Sequence, residues 1–202
     1  ANPYSFLHII NPGYKYHREI NGAKRFRLVR NRYQEFKEDG VFMHEEQACY
    51  YIYKIIDRDH QEFTGIIAAA SVEDYDDNLI KKHEDTLQHR EELFKEYLKV
   101  VGFNAEAVLL TYPDDKGIAT IIEEVSHTRA EYEFTTTYRD THYLWPVCDR
   151  EQVERIKQHF AAMPSMYIAD GHHRCSSSSL LAQDLKNENQ HHTGREPYNF
   201  FM

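Results

Sequence analysis

The chain has 202 residues, enough for one domain, or two small ones, whose core needs no disulfide or metal to hold it. With 24 Lys plus Arg against 33 Asp plus Glu, the formal net charge is −9. That balance disfavours nucleic acid and anionic membranes as partners, since both repel an acidic chain, and the 41% hydrophobic content excludes wholesale disorder. Cys49, Cys148 and Cys175 are too few and too scattered for a disulfide scaffold, and an odd count without a CxxC pair reads as a reducing, cytoplasmic setting. No run approaches the roughly 18 apolar residues of a membrane span. Residues 1–10 lack the basic and apolar regions of a signal peptide. The chain does not begin with Met, and Tyr198-Asn199-Phe200-Phe201-Met202 reads as a strand cut short, so both ends are expected to be cuts in a longer protein.

In chain order, residues 5–10 are a short apolar run closed by Asn11-Pro12-Gly13 and predict a strand. Over Gly22–Glu38, the residues Phe26, Val29, Tyr33 and Phe36 mark one face of a helix that Asp39-Gly40 closes. Lys24, Arg25, Arg27, Arg30 and Arg32 fall mostly off that face and read as solvated surface. Residues 48–56 and 63–72 predict a hairpin around Asp57-Arg58-Asp59-His60. Its nearly all-apolar second arm, from Gly65 to Ala70, predicts a strand buried on both faces. Residues 72–86 are polar and irregular. Leu93, Phe94, Tyr97, Leu98 and Val101 form the stripe of a helix over 87–101. Residues 107–112 predict a strand, 118–125 a helix, and 132–137 with 142–147 a second hairpin. Asp149 N-caps a helix to Met163, with Gln152 completing a capping box. Residues 165–169 predict a short buried strand, followed by a helix to about Lys186 in which Ser176 to Ser179 are small packing residues. A polar loop over 187–196 precedes Pro197, which opens a final strand. Strands and helices alternating around hairpins predict a single mixed α/β (α+β) domain over residues 1–202.

The segment Asp170-Gly171-His172-His173-Arg174 carries the sharpest chemistry. A strand runs into a glycine turn and a helix start, where the first backbone N–H groups lack partners and favour an anion. Gly171 allows close backbone approach, and Arg174 matches two phosphate oxygens. His172 and His173 can donate hydrogen bonds or move a proton. Asp170 can hold Mg²⁺ or accept a hydroxyl proton. The alternative is that Asp170 only caps the helix and the histidines are surface polar groups. Lys81-Lys82-His83-Glu84-Asp85-Thr86 is a second candidate, though a solvated charge run explains it as well. The adjacent pairs His172-His173 and His191-His192 diverge and do not predict a shared zinc ion, and no HExxH or finger spacing is present. Cys175 reads as a small packing residue in preference to a catalytic thiol. No P-loop, GxGxxG or GxSxG motif occurs.

Asn2-Pro3-Tyr4-Ser5-Phe6-Leu7-His8, Lys82-His83-Glu84-Asp85-Thr86, the run from Asn104 to Pro113, and Ala169-Asp170-Gly171-His172-His173-Arg174 occur in that order. Together they resemble the bacterial family known as domain of unknown function 1015, whose members are about twice this long, so the chain is expected to be their central portion. The Asp-Gly-His-His-Arg segment is also similar to one in archaeal and staphylococcal free-serine kinases, within a wider group that includes the ParB nucleotide-binding domain and sulfiredoxin. This resemblance implies a ParB/sulfiredoxin-like core with a mixed sheet and flanking helices. It implies ATP or ADP with Mg²⁺ as cofactors, Asp170, His172 and His173 as catalytic residues, and Asp170 as the metal ligand. Gly171 and Arg174 would bind phosphate, with Lys82, His83 and Glu84 as the opposite wall. Sulfiredoxin's cysteine is missing, since His172 stands in its place. The acidic, Arg-containing stretch that many family members carry reads here Leu93-Phe94-Lys95. The expected function is phosphoryl transfer to a small hydroxylated metabolite, with serine or phosphoserine as candidates. The alternatives are a non-catalytic, nucleotide-responsive binding module like the ParB domain, and a phosphoserine phosphatase.

Overall fold

In the computed structural model, which describes residues 2–13 and 20–202, helix α2 spans Gly22–Glu38. It forms because its apolar residues fall on one stripe, and Phe26, Val29 and Phe36 of that stripe are buried. Residues 5–10 do not form the expected strand. The Asn2 side chain accepts from the Tyr4 N–H at 3.0 Å, and the Ser5 carbonyl accepts from the His8 N–H at 2.9 Å. These local bonds wind the chain into a short helix α1, Leu7–Ile10. Phe6, Leu7, Ile9 and Ile10, interrupted by His8, carry no period that separates the two outcomes.

By its internal contacts the chain divides into two compact units. The first comprises Ala1–His44, Ala70–Leu109 and Ile168–Phe201. One core in this unit joins Ile9, Phe26, Val29 and Phe36 to Val101 of helix α4, Gln88–Val101. The segment read as irregular contains two small elements after strand β3, Ala70–Ser71, namely helix α3, Val72–Asp76, and strand β4, Ile80–Lys81. Ser71 caps α3, its hydroxyl accepting from the Glu73 N–H at 3.1 Å. Helix α7, His172–Glu188, packs on α3 and α4. Its serines Ser177, Ser178 and Ser179 are buried, as their small size requires at that packing. Pro197–Asn199 form a 3-10 turn ahead of the last strand, Phe200–Phe201, which pairs antiparallel with β3.

The second unit, Glu45–Ala69 with Leu110–Tyr167 and Met202, holds a four-stranded sheet. Hairpin β1–β2 (Tyr50–Ile56, Glu62–Ile67) and hairpin β6–β7 (Tyr132–Thr135, Thr141–Val147) join through β1 and β7 in the order β2-β1-β7-β6. The β2 arm is thus an edge strand, and of the run Gly65 to Ala70, expected to be buried on both faces, Gly65 and Ala69 are exposed and the rest only half-buried, because only one neighbour covers the arm. Helices α5 (Lys116–Ser126) and α6 (Arg150–Ala161) supply Ile121, Val125 and Ile156 to a core with Ile52, Trp145 and Val147. Asp149 caps α6 as predicted, accepting from the Glu151 and Gln152 N–H groups at 3.1 and 3.0 Å.

Strand β5 (Leu109–Thr111) and strand β8 (Met166–Asp170) lie at the points where the chain leaves and re-enters the first unit. They form a three-stranded sheet in the order β4-β8-β5. Only Ile168 of β8 is buried, so the strand is less enclosed than its apolar sequence suggested. The cysteines also depart from expectation. Pairing of Tyr50 with Val147 on antiparallel β1 and β7 brings Cys49 and Cys148 together, and they form a disulfide across a sequence separation of 99. Distance along the chain does not measure distance across a sheet. Mixed helices and sheets make this an α/β fold. Among the described residues no helix is long and apolar enough to cross a membrane.

Candidate functional site

Strand β8 lies beside β4 in its sheet. That one adjacency brings the Asp170-Gly171-His172-His173-Arg174 turn and the Lys82-His83-Glu84 segment together within the first unit. Gly171 is the N-cap of α7 and has φ +99°, a left-handed conformation open mainly to glycine. A Cβ there would lie 2.8 Å from Val108 Cγ1 and 3.1 Å from Arg174 Nε. Glycine is therefore required twice, by backbone angle and by space. Gly171 supplies no side-chain cap to the helix, and the Arg174 N–H of the first turn donates to the Gly171 carbonyl at 2.9 Å.

His172 is 7% exposed and is met by His83 and Glu84 of the facing segment. The His83 ring stands edge-on to it with centroids 4.4 Å apart. The His83 backbone N–H points at His172 Nε2 at 3.5 Å. Glu84 Oε2 lies 3.8 Å from His172 Nδ1, and Glu84 Oε1 lies 3.9 Å from His83 Nε2. Burial holds His172 below the ordinary imidazole value, the neighbouring His83 adds to that, and Glu84 and Asp170 oppose it. The ring is therefore presented neutral near pH 7. Lys82 sits over the Tyr75 ring, its Nζ 3.6 Å from the centroid.

Arg174 points the other way. Its Nη2 donates to Asp170 Oδ2 at 2.5 Å, and its Nη1 donates to the Ala107 carbonyl at 2.6 Å and to Glu106 Oε2 at 3.2 Å. Asp170 is thus the i, i+4 partner of Arg174 rather than a cap of α7. Glu106 was not a candidate from sequence, because it lies in a loop and no local pattern links it to Arg174. These acceptors occupy Nη1 and one N–H of Nη2, so a phosphate reaching Arg174 would meet the remaining N–H donors on Nε and Nη2.

His173 diverges from His172, as adjacent side chains do. Its Nδ1 is buried with no hydrogen-bond partner among the described residues. On the same side of α7, the Glu91 carboxylate accepts hydrogen bonds from the Ser176 and Thr86 hydroxyls. Those two bonds, led by Ser176, hold the Glu91 carboxyl below its usual range. Leu93-Phe94-Lys95, standing where many family members are acidic, put any polar contribution from α4 in doubt, and Glu91 lies one half-turn earlier on that helix. A carboxylate in the first turn of a helix opposite a run of serines was the available signal. Cys175 is fully buried, and burial pushes its thiol up to about 12. A thiol with that value is a packing group, so the helix N-terminus does not activate it.

No curated protein and no solved structure shows significant similarity to this chain. A family model described as "Protein of unknown function (DUF1015)" matches residues 1–202. With every residue of the sequence inside the match, the chain belongs to the domain-of-unknown-function 1015 family.

Proposed function

We propose that this chain, on a ParB-like core, binds a nucleotide at the 171–174 turn and transfers a phosphoryl group to a small hydroxylated metabolite, with serine as the preferred acceptor. The observation that carries this reading is the convergence of His83 and Glu84 on the Gly171–His172 turn. It puts imidazole and carboxylate groups around a helix N-terminus, parts that phosphoryl transfer uses to position and stabilise charge. In this reading the acceptor hydroxyl attacks the terminal phosphorus of ATP or ADP. The bond to the bridging oxygen breaks and leaves on the shortened nucleotide, and the hydroxyl proton passes to Asp170 or Glu84. Backbone N–H groups after Gly171 and the ring of His172 or His173 donate to the phosphoryl oxygens. Mg²⁺ would supply charge neutralisation at Asp170, which requires the Asp170–Arg174 ion pair to open.

Incubation with L-serine, Mg²⁺ and ATP or ADP, followed by mass spectrometry, tests the reading, with phosphoserine as the expected product. Calorimetry supplies the second arm. Nucleotide binding without phosphoserine formation points to the switch-like module. Phosphate release from phosphoserine with no nucleotide present points to a phosphatase. Absence of both nucleotide binding and turnover overturns the reading.

A further inference from the structure

The three donors His83, Glu84 and His172 have a spacing that hydrogen bonding does not explain. Their ligand atoms all lie within 4.8 Å of one another. The two imidazole-to-carboxylate distances, 3.8 and 3.9 Å, are beyond hydrogen-bond range. Among the described residues no lysine or arginine forms an ion pair with Glu84, and Lys82 is drawn off over Tyr75. Two imidazoles and one carboxylate thus face a common point.

We propose that His83, Glu84 and His172 form a binding site for a divalent first-row transition metal ion, with Zn²⁺ as the expected occupant. Ligand bonds of about 2.0–2.2 Å put the donors of a tetrahedral ion roughly 3–3.5 Å apart. The observed separations need to close only modestly, and the side chains of His83 (58% exposed) and Glu84 (67% exposed) are free to do so against the fixed ring of His172. A bend at Glu84 turns its carboxylate to the same side as the preceding His83, which an extended strand would not allow. Two nitrogen donors out of three select a borderline ion over Mg²⁺ or Ca²⁺, which take oxygen ligands. Ligation through His172 Nδ1 moves the ring proton to Nε2 and gives up the long 3.5 Å contact from the His83 N–H. Three protein ligands leave one position open for water or a substrate oxygen. The site stands independently of nucleotide binding.

The test uses the chain stripped of metal and free of nucleotide, titrated with Zn²⁺, Co²⁺ and Mg²⁺ by calorimetry and, for Co²⁺, by visible absorption. One equivalent of Zn²⁺ and Co²⁺ is expected, with intense tetrahedral Co²⁺ bands and negligible Mg²⁺ uptake. His83→Ala and Glu84→Gln change exposed side chains and leave the fold intact. Each should weaken Zn²⁺ binding by more than about tenfold, since losing a ligand costs no less than losing the group behind one. His191→Ala, at an exposed loop residue, should not. Failure to bind Zn²⁺ or Co²⁺, unchanged affinity in both variants, or Mg²⁺ binding of equal strength would each overturn the proposal. Because no nucleotide is present, any of these results leaves the phosphoryl-transfer reading to its own assay.

Discussion

Gly171 is the residue on which the site geometry depends most. Gly171→Ala forces a side chain into φ +99° and against Val108 Cγ1 at 2.8 Å. A loss of about 2 kcal/mol or more is expected from the backbone strain alone, read as a lower urea midpoint with an unchanged slope. Glu91 is a second such residue, because its two hydroxyl donors come from different elements. Glu91→Gln keeps one acceptor but loses the charge assistance. It should cost about 1–2 kcal/mol, checked by the same unfolding curves. Neither role is readable from a single position. The sequence offers Gly171 as a turn, but the clash with Val108 exists only once the segment around residue 108 is folded against it.

At the scale of elements, α7 is held by polar contacts spread along its length. Ser179 Oγ donates to Asp76 Oδ1 at 2.6 Å, tying α7 to α3. Ser179→Ala leaves that carboxylate short of a partner and should cost about 1–2 kcal/mol, seen as faster amide exchange across residues 72–76. The loop after α7 is organised by Glu196, which accepts from the Thr193 N–H and hydroxyl at 2.7 and 2.8 Å. Partial burial pushes the Glu196 carboxyl up, yet hydrogen bonds from its own backbone N–H and from Thr193, together with nearby His192, bring it down to about 2. A carboxyl lowered in the folded state stabilises above its ordinary value of 4.5 and loses that contribution as pH falls toward about 2. The stability gap between the native chain and Glu196→Gln should therefore be full at pH 7 and vanish near pH 2, measured by thermal melts across that range. The long elements were legible in sequence because their apolar spacing repeats over several turns, as α2 shows. Short ones such as α1, α3 and β4 were misread or missed, since local hydrogen bonds at Asn2, Ser5 and Ser71 decide the two helices and pairing with β8 decides the strand.

For the whole molecule, the Cys49–Cys148 disulfide closes a loop of 99 residues in sequence separation. Disulfides typically contribute about 2–4 kcal/mol, and restriction of the unfolded chain gives up to about 4.7 kcal/mol for loops near this length. Cys148→Ser, or reduction of the native chain, should lower the denaturation midpoint by a corresponding amount, and reductant should have no further effect on the variant. Cys175, buried and apart from the pair, should resist thiol reagents until the protein unfolds.

The sequence by itself determined the α/β class, the main helices and hairpins, and the family, because periodicity, capping and ordered motifs are local properties that one reading direction preserves. It also singled out both halves of the candidate site, Lys82-His83-Glu84 and Asp170 to Arg174. Only the tertiary structure decided how those halves meet. The pairing of His172 with His83 spans 89 positions, and it arises from the adjacency of β4 and β8, a two-residue strand beside a five-residue one. Long-range contacts of the same kind give Arg174 to Glu106 and, through the pairing of β1 with β7, join the two cysteines that sequence left apart. Contacts of that kind depend on which strands become neighbours, and a pairing energy spread over a whole sheet leaves no mark at any one residue.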